Sequence, residues 1–182
     1  MDRAGVDPTG LTLREYHGGD WRAMWALDVQ CFEAVFRFSR RAMREFSEVA
    51  GAVTILAEVG GESGDKESED KESEDQKFTD KGDLAGFCIV QVEQRVGYVV
   101  TLDVAAGWRR RGLARRLMDE VERRVRDAGG LAMELHVHTG NDGAIRFYEA
   151  MGYARAGAAE GFYGTGVDAW VYEKRLAGAS AG

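Results

Sequence analysis

Three short stretches combine residue types that can do chemistry. The first is Arg109-Arg110-Arg111-Gly112-Leu113-Ala114, shortly after an apolar run ending at Val104. A helix opening there presents unpaired N–H groups and a partial positive charge. Pyrophosphate binds well in that setting. Gly112 and the small Ala114 let the backbone approach phosphate oxygens, and the arginines add charge-assisted contacts. The stretch is not a P-loop, because the Lys-Ser/Thr pair is missing. It is not a dinucleotide fingerprint either, because the three-glycine spacing is absent. Taken alone, it could also be a basic helix start with no ligand.

The second stretch is Leu135-His136-Val137-His138. Strand alternation puts His136 and His138 on one face, with Met133, Leu135 and Val137 on the other. An imidazole titrating near 6.5 can accept a proton around neutrality. A His-x-His pair can also hold a metal, but no third ligand is evident, and no metal is expected. The third stretch runs from Asn141 to Tyr153, with Ala144, Phe147, Tyr148 and Met151 at helical spacing. Tyr148 could give a proton or be a core aromatic. Cys31 and Cys88 form no CxxC pair. They read as two small buried side chains in a reduced, cytoplasmic setting.

Periodicity predicts the elements that must position these groups. Leu11 to Tyr16 reads as an edge strand. Asp20 is expected to cap a helix from Trp21 to about Cys31, and a second helix follows Ser39, with Met43 and Phe46 on one side. Ala52–Val59, Leu84–Val92 and Gly97–Val104 read as strands, the last two joined as a hairpin at Gln94-Arg95. From about Gly112, Leu113, Leu117, Val121 and Val125 mark one face of a long helix, joined by Ala114 and Met118. Arg115, Asp119, Glu122 and Arg123 mark the other face, with Asp119–Arg123 and Glu120–Arg124 as i,i+4 pairs. Gly129-Gly130 ends that helix. Met133–Val137, a helix near Gly143–Met151, a strand after Gly152-Tyr153 and a last strand at Asp168–Leu176 complete the order βααβ, loop, ββ, α, β, α, ββ. This is an α+β domain, a mixed sheet with helices on its faces.

The chain has 182 residues and a formal net charge of −7. Gly61 to Asp83 holds ten acidic and four basic residues, a net of −6, so the remainder is near neutral. No basic face for nucleic acid is visible in that balance. Asp65-Lys-Glu-Ser-Glu69 repeats at Asp70, with no apolar residue before Phe78. An acidic, disordered insertion at about 61–83 within a single domain spanning 1–182 is expected. It could be simply solvated, or it could be an arm for a basic partner. No run reaches about 18 apolar residues, so no membrane span is expected. Met1 to Gly10 does not read as a signal peptide.

Taken together, the first and third stretches resemble the GNAT family of N-acetyltransferases. Arg109 to Ala114 matches its R/Q-x-x-G-x-G/A motif, and Asn141 to Tyr153 matches N-x-x-A-x-x-F-Y-x-x-x-G-F/Y. The resemblance covers about Leu11 to Leu176, apart from the insertion. It implies a mostly antiparallel twisted sheet with one splayed parallel strand pair, and acetyl-CoA as cosubstrate. By resemblance, Leu102, Asp103 and Val104 offer a free backbone edge to the pantetheine arm. Arg109, Arg110, Arg111, Gly112, Leu113 and Ala114 hold the pyrophosphate. Asn141 contacts the arm, and Tyr148 lies near the sulfur as proton donor.

Within the family the chain is most similar to protein N-terminal acetyltransferases. Tyr98-Val99-Val100-Thr101-Leu102 and Leu135-His136-Val137 match one branch, in which the tyrosine and histidine act together, through water, as the base. A branch acting on ribosomal proteins carries glutamate where His136 stands. Phe32 and Phe36 resemble the loop framing a peptide N-terminus, although Glu33-Ala34 replace the usual Pro-Val. Phe162 and Tyr163 resemble the hairpin closing over it. The implied acceptor is therefore a protein or peptide N-terminus, with a ribosomal protein among the candidates, and the enzyme a monomer or dimer. A small amine such as a polyamine, amino acid or antibiotic, or a non-catalytic acetyl-CoA sensor, are the other readings.

Overall fold

A computed structural model describes residues 10–60 and 83–176. The expected disorder of the acidic insertion lies outside them. Seven strands form one sheet: β1 Leu11–Glu15, β2 Ala52–Val59, β3 Leu84–Glu93, β4 Val96–Val104, β5 Ala132–His138, β6 Ala154–Gly164 and β7 Val167–Arg175. Their spatial order is β1-β2-β3-β4-β5-β7-β6. Every pairing is antiparallel except β4 with β5. Four helices cover the faces: α1 Trp21–Cys31, α2 Arg40–Glu48, α3 Leu113–Asp127 and α4 Asp142–Ala150. This is the α+β architecture that the order of elements predicts.

The central strands are apolar on both sides because helices cover both faces. Leu56, Phe87 and Ile89 pack with Met24, Leu27 and Met43 of α1 and α2. Ile55, Cys88 and Val90 pack with Leu113, Leu117, Met118, Val121 and Val125 of α3, in a cluster that also takes in Tyr148 of α4. The β3–β4 hairpin turns through Gln94 and Arg95, both at positive φ, as a type I′ turn requires. Helix α3 closes in a Schellman motif: Gly130 N donates to Val125 O and Gly129 N to Arg126 O, with Gly129 at φ +84°.

Three local expectations are corrected. Asp20 precedes α1 but makes no side-chain cap. Its carboxylate instead accepts from Arg14 and from His17 N. Arg123 pairs with Glu120 and Asp127 rather than Asp119, whereas Glu120–Arg124 forms as expected. Glu122 is not on the solvent face. It is 4% exposed, paired with Lys174 and hydrogen-bonded by Tyr153, partners that periodicity cannot reveal.

Candidate active site

The site forms where the parallel pair comes apart. β4 and β5 pair from Val96↔Ala132 to Val99↔Leu135 and no further. Against β3, Val90 faces Val99 and Ile89 faces Thr101, leaving Val100 as a bulge. The bulge bends β4 at the point where pairing with β5 stops. β5 stays with β7 as far as His138↔Ala169. A cavity of about 230 Å³ opens here, lined by Val99 to Leu102, Leu135 to His138, Asn141, Ala144, Phe147 and Tyr148. Phe32, Phe36, Phe38 and Tyr163 line its remaining wall. Among the described residues, no Asp, Glu, Lys or Arg side chain lines this cavity.

His136 and Tyr98 meet in this opening. The Tyr98 hydroxyl lies 3.1 Å from His136 Nδ1. Burial, reinforced by Tyr163 and Glu134, pushes the Tyr98 phenol up to about 12. It therefore stays protonated near neutrality, and we assign Tyr98 as donor and Nδ1 as acceptor. Burial lowers the His136 pKa from its ordinary value, against a small opposing effect of Glu134. A neutral imidazole is the form that can take a proton. Phe162 stacks on His136, with centroids 4.1 Å apart and planes at 4°. The Tyr163 hydroxyl donates to the His136 carbonyl at 3.1 Å.

These aromatics reach the site by backbone devices. Between Ala159↔Ala169 and Gly164↔Val167 the β6 ladder is irregular. Gly161 adopts φ +62° there and donates its N–H to Asp168 Oδ1 at 2.7 Å. Opposite, a single 3-10 turn at Ala34–Phe36 joins α1 to α2. Phe36 lies 5.0 Å from both His138 and Tyr163. Phe32, Phe36 and Tyr163 thus line the cavity, and Phe162 stacks on His136.

The α3 N-terminus fits an anion. Gly112 is the N-cap at φ +81°, and no side chain caps the first turn. The first helical bond is Arg116 N to Gly112 O, so the N–H groups before it remain for a ligand. Arg110 also has positive φ. The arginines are partly engaged within the protein: Arg109 Nε donates to Val104 O at 3.0 Å, and Arg111 lies over the Trp108 ring. Leu113 is buried against the sheet, while Ala114 is half-buried. Asn141 Oδ1 caps α4 through Ala144 N at 3.1 Å.

Some participants were not foreseen. Asp103, expected to offer only backbone, is fully buried and accepts from Thr101 Oγ1 at 2.6 Å. Burial holds its carboxyl far above the usual range. Cys31, expected to be merely apolar, is half-buried and donates to Val104 O at 3.4 Å. Phe38 and Thr101 line the cavity. The only available signal was the Thr101-x-Asp103 spacing, which places both on one strand face. Among the described residues no three His, Cys, Asp or Glu side chains gather as a metal site.

Solved structures share this fold. The ribosomal-protein-S18-alanine N-acetyltransferase of Escherichia coli is 19% identical, with a TM-score of 0.73 over 94% of this chain and 97% of that one. Arabidopsis thaliana NAA60 in complex with a bisubstrate analogue is 20% identical, with a TM-score of 0.69 over 92% and 99%. The spermidine/spermine N-acetyltransferase SpeG of Vibrio cholerae is 18% identical, with a TM-score of 0.63 over 91% and 92%. Residues 21–153 match the sequence model of the Acetyltransferase (GNAT) family. With the parted β4–β5 pair and the uncapped α3 start between them, these residues make the chain a member of the GNAT acetyltransferase family.

Proposed function

We propose that this enzyme acts in the cytoplasm on the α-amino group of a protein or peptide N-terminus, with acetyl-CoA as donor. The observation that carries this reading is the Tyr98–His136 contact, 3.1 Å long, in a cavity walled by aromatics and without charged side chains. Among the described residues that line it, none supplies the carboxylates that a polyamine would call for. An α-amino group titrates near 8, against about 10.4 for lysine, so it asks less of a base.

Acetyl-CoA, when bound, supplies a thioester whose acetyl group passes to the amine with release of coenzyme A. Gly112, Leu113 and Ala114 offer N–H groups to its diphosphate, and Arg109, Arg110 and Arg111 offer charge. Leu102, Asp103 and Val104 present the strand edge left free where β5 departs, and Asn141 flanks it. His136 with Tyr98 takes the proton that the attacking amine loses. Backbone N–H groups near Val104 stabilise the developing oxyanion. The buried Tyr148, whose phenol is pushed well above its ordinary value, holds a proton for the leaving sulfur. Phe32, Phe36, Phe162 and Tyr163 orient the acceptor backbone and keep water out.

The test is release of free thiol from acetyl-CoA with hexapeptides carrying each of the common amino acids first. Spermidine and an aminoglycoside serve as comparison amines. Turnover with some peptides is expected. Turnover confined to the small amines defeats the peptide reading, and tight acetyl-CoA binding without any turnover would indicate a sensor.

A further inference from the structure

Glu122 of α3 is a buried carboxylate that the chemistry above does not use. It accepts from Lys174 Nζ at 2.6 and 2.9 Å and from the Tyr153 hydroxyl at 3.0 Å. Lys174 Nζ also lies 5.4 Å from the centroid of the Tyr153 ring. The ring of Tyr153 is thus gripped at its hydroxyl by the carboxylate and on its face by the ammonium. Glu122 is buried while the Lys174 side chain keeps 23% of its exposure; taking the carboxylate out of water costs several kcal/mol, and apolar side chains of the same volume often serve stability as well. The pair's use is then better sought in what it holds in place.

What it holds is Tyr153, which packs on Tyr148. The two rings are 5.7 Å apart at 67°, and Tyr153 N donates to Tyr148 O at 3.0 Å. Phe147 meets the Tyr148 ring at 5.2 Å. Among the described residues, no group hydrogen-bonds the Tyr148 hydroxyl. The direction of that hydroxyl is therefore set by the rings packed around it. We infer that Glu122 and Lys174 are positioning residues that act through Tyr153 to aim the Tyr148 hydroxyl into the cavity. This rests on the role given to Tyr148 above.

The full-length protein is assayed with acetyl-CoA and the hexapeptide mixture. Tyr153→Phe, which deletes one hydroxyl and leaves the Glu122–Lys174 pair, should lower kcat about 10-fold, a fraction of what a proton donor contributes. The KM and the calorimetric Kd for acetyl-CoA should not change. Glu122→Ala should lose a similar factor, and Glu122→Gln, whose amide oxygen still accepts from Tyr153, should recover most of it. In a Tyr148→Phe background, Tyr153→Phe should add no further loss.

An acetyl-CoA-free readout comes from ring-labelled tyrosine in NMR spectra. The Tyr148 signal, assigned by its absence in Tyr148→Phe, should shift or broaden in Tyr153→Phe. Full turnover in Tyr153→Phe beside a slow Tyr148→Phe overturns this inference and spares Tyr148. Full turnover in Tyr148→Phe overturns both. Independent losses in the double variant, or an unmoved Tyr148 signal, also overturn it. If Glu122→Ala does not fold, Tyr153→Phe and the double variant decide.

Discussion

His136 reaches Tyr98 because of where one ladder ends. Tyr98 pairs across the parallel strands with Glu134, and His136 stands two residues on, just past the last paired position. Its imidazole is free to turn into the opening, where the Tyr98 hydroxyl meets Nδ1 and the Phe162 ring stacks flat on it. Burial favours the uncharged ring, so the folded value lies below 6.5. The neutral, proton-accepting form therefore persists as the pH falls to that lowered value, and activity declines only beneath it. The acid limb of kcat/KM against pH is expected below 6.5, and His136→Ala should abolish it while lowering kcat/KM by about 10²-fold or more. A limb at or above 6.5, or one that survives the alanine, would remove His136 from the role. Tyr98→Phe should keep the limb and lower the rate.

Helix α3 shows how one backbone angle leaves a helix start open for the diphosphate proposed above. Gly112 sits at φ +81°, and a Cβ built there would meet nothing within 4 Å. Gly112→Ala therefore probes conformation without a clash. Holding alanine in the left-handed region costs about 1–2 kcal/mol. The variant should melt earlier and bind acetyl-CoA several-fold more weakly in calorimetry, with kcat at saturation little changed. Unaltered affinity would separate this turn from the ligand. The same element shows what sequence reveals and what it hides. The four-residue spacing of Leu113, Leu117, Val121 and Val125 and the Gly129-Gly130 stop were legible, because local periodicity and turn chemistry encode them. Glu122 looked solvent-facing because its partners, Lys174 and Tyr153, are distant in sequence. Asp103 and Cys31 were hidden for the same reason: the burial of the one and the contact of the other with Val104 O are tertiary facts. The arginine-rich turn was found, but the carbonyl and ring that engage Arg109 and Arg111 were not.

At the scale of the whole molecule, the candidate site lies at one break in an otherwise continuous sheet, and the acidic insertion belongs to a different connection. The β2–β3 ladder carries through Glu58↔Leu84, and Val59 N donates to Asp83 O at 3.0 Å. Val59 and Asp83, on either side of the insertion, are thus hydrogen-bonded in an antiparallel pair, which a short Asn-Gly turn could join. Among the described residues, the cavity is lined from the α1–α2 connection, β4, β5, α4 and the β6–β7 hairpin, and none of its lining residues belongs to β2 or β3. Replacing the 22 residues 61–82 by Asn-Gly should therefore preserve the fold and the Kd for acetyl-CoA. It should also raise stability by about 2 kcal/mol through reduced loop-closure entropy, measured by denaturant unfolding. Removing nine acidic and four basic residues takes the formal charge of the shortened chain from −7 to −2. Retained peptide turnover would leave the insertion outside catalysis. Intact acetyl-CoA binding with lost peptide turnover would instead show that the acidic arm recruits the acceptor. Because coenzyme binding and turnover are read separately, the result distinguishes an enzyme with a dispensable charged connection from one whose acceptor arrives by way of it.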